Sequence, residues 1–203
     1  MLTDADVVEV EGMLVTSIAR TVVDMAAALP FVNAVMIVDR ALLVDRFDRI
    51  QPLTNRDALW ACWDSRGWFR GLARARSAIE FGEERAESPL ESVSRVTMRR
   101  IGCPRPVLQA PHADADGHIG DTDFHWPEFN AVGEADGKSK YLDPDLRGGR
   151  SVAQVHLDEK VREDRIRALP RAFARWDWNV GANPTVLRAR LERIGLPMGL
   201  RRW

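Results

Sequence analysis

The sequence has little cysteine and no long apolar run, and each scarcity excludes a class of protein. Its two cysteines, Cys62 and Cys103, are too few and too far apart for a disulfide framework or a zinc site. No early stretch joins a basic flank to an apolar run, as a signal peptide does, and charges interrupt the longest apolar windows well short of membrane-spanning length. We therefore expect a cytoplasmic protein that makes no membrane contact.

The net charge is close to zero, so the overall charge of the chain does not predict a nucleic-acid partner. There are 29 basic and 30 acidic side chains among 203 residues, which gives a formal net charge of −1. Any such partner must be recognised by a local patch. Apolar residues make up 45% of the chain and can supply the core of one large domain or of a small and a larger one.

Residues 1–86 have the pattern of a small, mainly helical domain. Two short strands joined at Gly12 are predicted first. Four runs with apolar residues at helical spacing follow, over Ile18–Leu29, Val32–Val44, Thr54 or Asn55 to Gly67, and Trp68–Phe81. Their apolar stripes need burial of their own, so we expect these helices to pack as a separate lobe.

Arginines and aromatic residues are interspersed in this helical region. The arginines are Arg20, Arg70, Arg74 and Arg76, and the aromatic residues are Trp60, Trp63, Trp68 and Phe69. One interpretation is a nucleic-acid surface on which the aromatic rings stack against bases. The commoner arrangement is a core of aromatic rings surrounded by solvated arginines, and the sequence leaves both open.

A second domain is predicted over residues 87–203, and its first element is marked by Ser88-Pro-Leu-Glu91. A serine cap, proline at the first helical position and glutamate three residues after the cap form a capping box, and Gly102 suits the end of that helix. The capping box accounts for Glu91 structurally without excluding a role in metal binding.

The later elements give the second domain the order α, β, β, β, α, β, α. After the first helix we expect a strand at Val107–Gln109, a turn at 114–117, a β-hairpin within 121–138, a helix over Val152–Leu169, a strand at 172–176 and a helix from Pro184. The charge-dense stretch 158–165 is expected to form a solvated helix face.

The β-hairpin gathers acidic residues. If Glu128 and Phe129 form a two-residue turn, Asp123 lies opposite Glu134 and Asp121 lies opposite Asp136. Directly opposed side chains have Cβ atoms about 5 Å apart, so four like charges there predict a bound cation or proton. Carboxylate oxygens on a rigid strand pair suit Mg²⁺ or Mn²⁺. His125 shares that face by alternation, either as a base or ligand or as a packed histidine.

These motifs, taken in order, resemble the Vsr-like endonuclease branch of the PD-(D/E)XK superfamily. The segments that carry the resemblance are Ser-Pro-Leu-Glu91, Gly-Asp-Thr-Asp123-Phe, Val-Gly-Glu134-Ala-Asp136-Gly, Glu159-Lys-Val-Arg-Glu-Asp164 and Arg-Ala-Phe-Ala-Arg-Trp176. The segment Val-Thr-Ser-Ile-Ala-Arg20-Thr-Val-Val-Asp24 is similar to the stretch that follows a winged helix in AbiEi-like antitoxin-type proteins. The resemblance implies that the chain begins late and lacks most of that winged helix.

The resemblance implies a fold, an activity and a set of site residues. The fold is a restriction-endonuclease-like mixed sheet flanked by helices, α/β in class, preceded by the small helical lobe. The activity is Mg²⁺-dependent (or Mn²⁺-dependent) DNA cleavage in defence or repair, with Asp123 and Glu134 holding the metal and Glu91 approaching from the helix. The superfamily's lysine falls at Asp136, which leaves the base unassigned, and Lys138 or Lys140 could supply the positive charge.

A second class of function remains open on the same residues. An antitoxin-type or transcriptional regulator that binds DNA or a protein partner could keep this fold without activity. Retention of Glu91, Asp123 and Glu134 favours the nuclease, because a binding module has no need of acids where phosphate approaches. Asp136 and the balanced net charge favour the regulator, and the oligomeric state stays open.

Overall fold

A computed structural model describes residues 2–45, 49–136, 152–169, 171–201 and 203. The chain divides into two compact units, Met1–Ser92 and Val93–Trp203. The division falls inside helix α5, Pro89–Ile101, a few residues after the predicted boundary at 86–87. Among the described residues, no helix is both long enough and apolar enough to cross a lipid bilayer.

The first unit consists of a β-hairpin and four helices, as its sequence pattern predicts. The hairpin pairs β1, Val7–Val10, with β2, Met13–Thr16. The helices are α1, Ile18–Ala28; α2, Phe31–Leu42; α3, Arg56–Ser65; and α4, Leu72–Phe81. Side chains cap two of these helices, because Ser17 accepts a hydrogen bond from Arg20 N and Asn55 accepts one from Ala58 N.

Helix α4 begins four residues later than the sequence pattern predicts. Gly71 precedes it with φ +87°, and a Cβ on Gly71 would lie 2.2 Å from the carbonyl oxygen of Ala27. Only glycine fits such an approach, so the chain crosses the end of α1 here before it turns into the helix. Arg74, in the first turn of α4, then donates to the Ala27 carbonyl at 3.0 Å, which an α1 residue cannot reach.

The second unit is a mixed four-stranded sheet with helices. Its elements after α5 are β3, Val107–Asp114; β4, Gly117–Trp126; β5, Ala131–Ala135; α6, Val152–Ala168; β6, Ala172–Trp176; α7, Trp178–Gly181; and α8, Pro184–Glu192. The strand order is β3-β4-β5-β6, with β3, β4 and β5 antiparallel in turn and β6 parallel to β5. This confirms the predicted mixed sheet, while α7 was not predicted.

The predicted register of the β4–β5 hairpin is confirmed for the three pairs nearest the turn, but the turn is not the expected two-residue turn at Glu128 and Phe129. Phe124 pairs with Gly133, His125 with Val132 and Trp126 with Ala131. The turn is one short 3-10 helical turn, Pro127–Phe129, closed by a hydrogen bond from Asn130 N to Pro127 O at 3.1 Å. Asn130 has φ +47°, a conformation that asparagine tolerates better than most residues.

One face of the sheet is packed with aromatic rings. Phe124 stacks on Trp126 and Trp176 with ring centroids 6.1 and 5.2 Å apart, and the Trp176 indole donates to Ser94 Oγ on α5 at 2.9 Å. A Cβ on Gly133 would lie 2.6 Å from the Trp176 ring, so glycine is what lets the two tryptophans close over β5. The core on this face of the sheet therefore consists of aromatic rings packed directly against the backbone of β5.

Helix α6 covers the other face of the sheet. Ile166 of α6 packs with Ile119 and Val132, and Leu169 and Phe173 close the cluster. Val161 of the same helix is 52% exposed.

Candidate functional site

Asp123 lies on β4 and is buried, with both carboxylate oxygens in hydrogen bonds. Its Oδ2 accepts the backbone N–H of Ala135 at 2.7 Å, and its Oδ1 accepts Nε2 of Gln109 at 3.4 Å. The regular pairing of β4 with β5 ends at Phe124 and Gly133. The Asp123 carboxylate therefore continues the connection to β5 where the backbone ladder stops.

Gln109 is a residue of this site that sequence reasoning missed. It lies on β3 between the pairs Leu108–Phe124 and Ala110–Thr122, with φ +49°. A left-handed residue inside a strand costs on the order of 1–3 kcal/mol and persists only where its surroundings impose it. Nothing in a run of β-forming residues signals such a conformation, so only the structure identifies Gln109 as the amide that reaches Asp123.

Glu134 lies on β5, one residue beyond the last regular pair with β4, and is bound by an arginine. Arg162 of α6 donates to both Glu134 oxygens, at 3.4 Å from one nitrogen and 3.3 Å from the other. Arg162 also donates to the backbone carbonyl of Asp121 at 3.0 Å. A guanidinium therefore lies among the acidic residues, where the sequence predicts a cation or a proton.

Asp136 follows β5 and is also paired with an arginine. Its Oδ2 lies 3.1 Å from Arg175 on β6, and Arg175 also contacts Glu163 of α6. Glu163 accepts a second hydrogen bond from Arg167 at 2.7 Å. Burial raises the pKa of Glu163, but the two arginines outweigh burial and hold that pKa below its usual range.

The charge-dense stretch of α6 is only partly a solvated face, which corrects the sequence expectation. The side chains of Arg162, Glu163 and Arg165 are 30%, 22% and 32% exposed. Arg165 forms a two-point ion pair with Asp114 of β3, at 2.6 and 2.9 Å. In the described part of α6 from Lys160 onward, charged pairs with the sheet accompany the apolar packing of Ile166.

His125 lies against a second histidine that the sequence did not single out. The rings of His125 and His112 are 5.1 Å apart and nearly perpendicular. Arg171 can only donate, at 2.5 Å, to Nδ1 of His112, so Nε2 carries the proton toward Thr122 Oγ1 at 2.8 Å. Burial and then Arg171 lower the pKa of His112 to about 4, and burial lowers that of His125. Both histidines are neutral near pH 7.

Glu91 belongs to the first unit, where it completes the predicted capping box. Ser88 Oγ donates to Glu91 Oε1 at 2.7 Å and accepts from Glu91 N at 3.2 Å. Glu87 N donates to Glu91 Oε2 at 3.1 Å, and Glu91 is 1% exposed. The structural role of Glu91 is confirmed, and its role toward a metal stays a prediction. Lys138 and Lys140 lie outside the described residues.

The acidic residues fit Mg²⁺ or Mn²⁺ in donor type but not in their present arrangement. Asp123 and Glu134 offer the oxygen ligands these ions prefer. Both already accept hydrogen bonds, and within the described parts of the chain no three histidine, cysteine or acidic residues come together as a metal site. An ion at this face would therefore have to compete with N–H donors for the same oxygens.

The aromatic and arginine residues of the first unit support parts of both interpretations. Trp63 donates its indole N–H to the Leu72 carbonyl at 3.1 Å, and the Arg66 guanidinium lies 3.9 Å from the centre of the Phe69 ring. These contacts are internal, as in a packed core. Trp68 is 86% exposed, as a stacking surface requires. The nucleic-acid interpretation of this unit stays a prediction.

Comparison with known proteins gives relatives without a described activity. Two proteins from two strains of Mycobacterium tuberculosis, each named an uncharacterized protein, are 35% identical to this chain over 125 residues. That match covers 62% of this chain and 44% of each relative, so the chain matches less than half the length of these curated relatives. No protein-family model and no solved structure matches the chain.

Proposed function

We propose that the second unit is a DNA endonuclease domain that hydrolyses phosphodiester bonds with Mg²⁺ or Mn²⁺, in defence or repair. The observation that carries the proposal is the position of two carboxylates, Asp123 and Glu134, on neighbouring strands of a mixed sheet, each one residue beyond the last regular pair Phe124–Gly133. The element order α5-β3-β4-β5-α6-β6 is the order on which the resemblance to Vsr-like endonucleases rests. The proposal includes a restriction-endonuclease-like fold for this sheet and a cytoplasmic location for the protein.

The proposed roles follow from what each side chain can do. Asp123 and Glu134 would hold the ion, which supplies an activated water and charge stabilisation when it is bound. Asp123 is fixed by Ala135 N and Gln109, so its oxygens have a defined position. Glu134 is held by Arg162, which donates to both of its oxygens. An ion that binds there must displace N–H donors from these oxygens.

DNA cleavage by the purified protein tests the proposal. Supercoiled, linear and single-stranded DNA are incubated with Mg²⁺ or Mn²⁺, with wild type beside Glu134→Gln. We expect metal-dependent nicking that Glu134→Gln lowers on the order of 10²-fold or more. Asp116→Asn, in the exposed β3–β4 turn, is the matched control and should cleave as wild type does. Equal cleavage by Glu134→Gln would indicate a contaminating nuclease.

A regulatory binding protein is the second candidate, and the arginine pairs favour it. Glu134 and Asp136 are each paired with a guanidinium, from Arg162 and Arg175. A domain that only binds DNA or a protein partner needs no more than this. Fluorescence anisotropy with labelled DNA separates the two, because saturable binding without cleavage in either metal would favour the regulator.

A further inference from the structure

We propose, resting on the proposed function, that Arg162 exchanges partners between Glu134 in the free protein and a DNA phosphate in the complex. The chain has Asp136 where the resemblance expects a lysine, so a positive group near the reacting phosphate must come from elsewhere. Arg162 already brings a guanidinium from α6 to the carboxylate of Glu134. Arg162 is then the residue of the proposed site that contacts the phosphate.

Two arginines of the same helix show which one is held loosely enough to exchange. Arg165 contacts Asp114 at 2.6 and 2.9 Å, the range of strong charge-assisted hydrogen bonds. Arg162 contacts Glu134 at 3.3 and 3.4 Å, and its side chain is 30% exposed. Arg165 therefore anchors the helix to the sheet, and Arg162 has the longer and weaker hydrogen bonds to its carboxylate.

The sheet is shaped to let Arg162 reach this position. Gly120 of β4 has φ +147°, and a Cβ there would lie 3.0 Å from Cδ of Arg162. The strand pairing also shifts register beside it, between His112 and Ala113. The stem of Arg162 thus passes over a residue without a side chain, and the Asp121 carbonyl holds the guanidinium at 3.0 Å. A solvated surface arginine would need neither feature.

The chemistry of the exchange is symmetrical. A guanidinium presents paired N–H donors that match a carboxylate and a phosphate equally well. Transfer of Arg162 to a phosphate would leave one cation fewer in competition for Glu134. Removing Arg162 should therefore change two measured affinities in opposite directions, with Mn²⁺ bound more tightly and DNA bound more weakly. A merely structural arginine would weaken both.

Two binding experiments on Arg162→Gln test the proposal without depending on cleavage. Calorimetric titration with Mn²⁺ alone should show roughly a fivefold gain in affinity, the lower end of ordinary coupling between two ligands. DNA affinity measured in EDTA over a range of salt should fall, and its logarithmic salt slope should shrink by about 1, the loss of one phosphate contact. Arg162→Lys keeps the charge and should keep most of the slope.

Arg167→Gln is the matched control, because Arg167 lies on the same helix and pairs with Glu163 at 2.7 Å instead of with Glu134. It should leave Mn²⁺ affinity unchanged. The proposal is overturned if Arg162→Gln does not gain Mn²⁺ affinity, if neither protein binds Mn²⁺, or if the salt slope is unchanged in a variant that melts as a folded protein. If wild type cleaves no DNA but both affinities shift as expected, the nuclease proposal fails and the exchange stands.

Discussion

Replacing Asp123 separates its structural role from any role toward a metal. Asp123→Ala removes the acceptor for the backbone N–H of Ala135, a residue that is 4% exposed. A buried donor left without its partner costs about 1–3 kcal/mol. Asp123→Asn keeps a carbonyl oxygen of nearly the same shape, so it can still accept that N–H. We expect the alanine variant to lose about 1–3 kcal/mol of unfolding free energy, and the asparagine variant less than about 1 kcal/mol.

Urea denaturation followed by tryptophan fluorescence measures the difference, since Trp126 and Trp176 lie in the same sheet. For a unit of this size, 1 kcal/mol corresponds to at least about 4 °C in melting temperature, so thermal melts give a second measurement. Equal stability of the alanine and asparagine variants would show that the Ala135 N–H does not depend on Asp123, and the reasoning would be wrong.

The pair of variants also decides how a loss of cleavage is interpreted. Alanine removes both the fold contact and the charge, so inactivity of that variant alone says little about metal binding. Asparagine keeps the contact and removes the charge that an ion requires. A stable Asp123→Asn protein that no longer responds to Mn²⁺ would support Asp123 as a ligand.

The sequence predicted those parts of the second unit that local rules decide. The hairpin register follows from alternation and from the Pro127–Asn130 turn, because a slip by one residue would move the Phe124 and Trp126 rings out of the core face. The capping box of Ser88 and Glu91 is likewise a matter of a few adjacent residues. The hairpin register and the capping box depend on residues that are close together in the sequence, so they can be predicted without knowing the tertiary contacts.

The partners of the acidic residues could not be predicted, because they depend on how α6 is turned. The apolar residues of that helix form no clear stripe, and Val161 is exposed while Arg162 faces the sheet. Ion pairs to Glu134 and Asp114 set the orientation instead. Hydrophobic periodicity contains no record of such pairs, so the sequence could not predict that Arg162 binds Glu134.

Two further changes test the core and the buried histidine. Gly133→Ala puts a methyl group against the rigid Trp176 ring, where a Cβ would lie at 2.6 Å, so we expect a loss of about 1–3 kcal/mol in urea unfolding. Unchanged stability would show that the ring can move aside. His112 has a folded pKa of about 4 against 6.5 for the ordinary residue, so the unfolded chain binds the extra proton between those values. The contribution of His112 to the free energy of unfolding is therefore fully present above pH 6.5, and up to about 3 kcal/mol of it is lost as the pH drops to 4. His112→Gln, which can still hydrogen-bond Thr122, should flatten that part of the pH profile, whereas His118→Gln, at an exposed position, should not. Parallel profiles for wild type and His112→Gln between pH 6.5 and 4 would contradict the assignment of a buried, neutral His112.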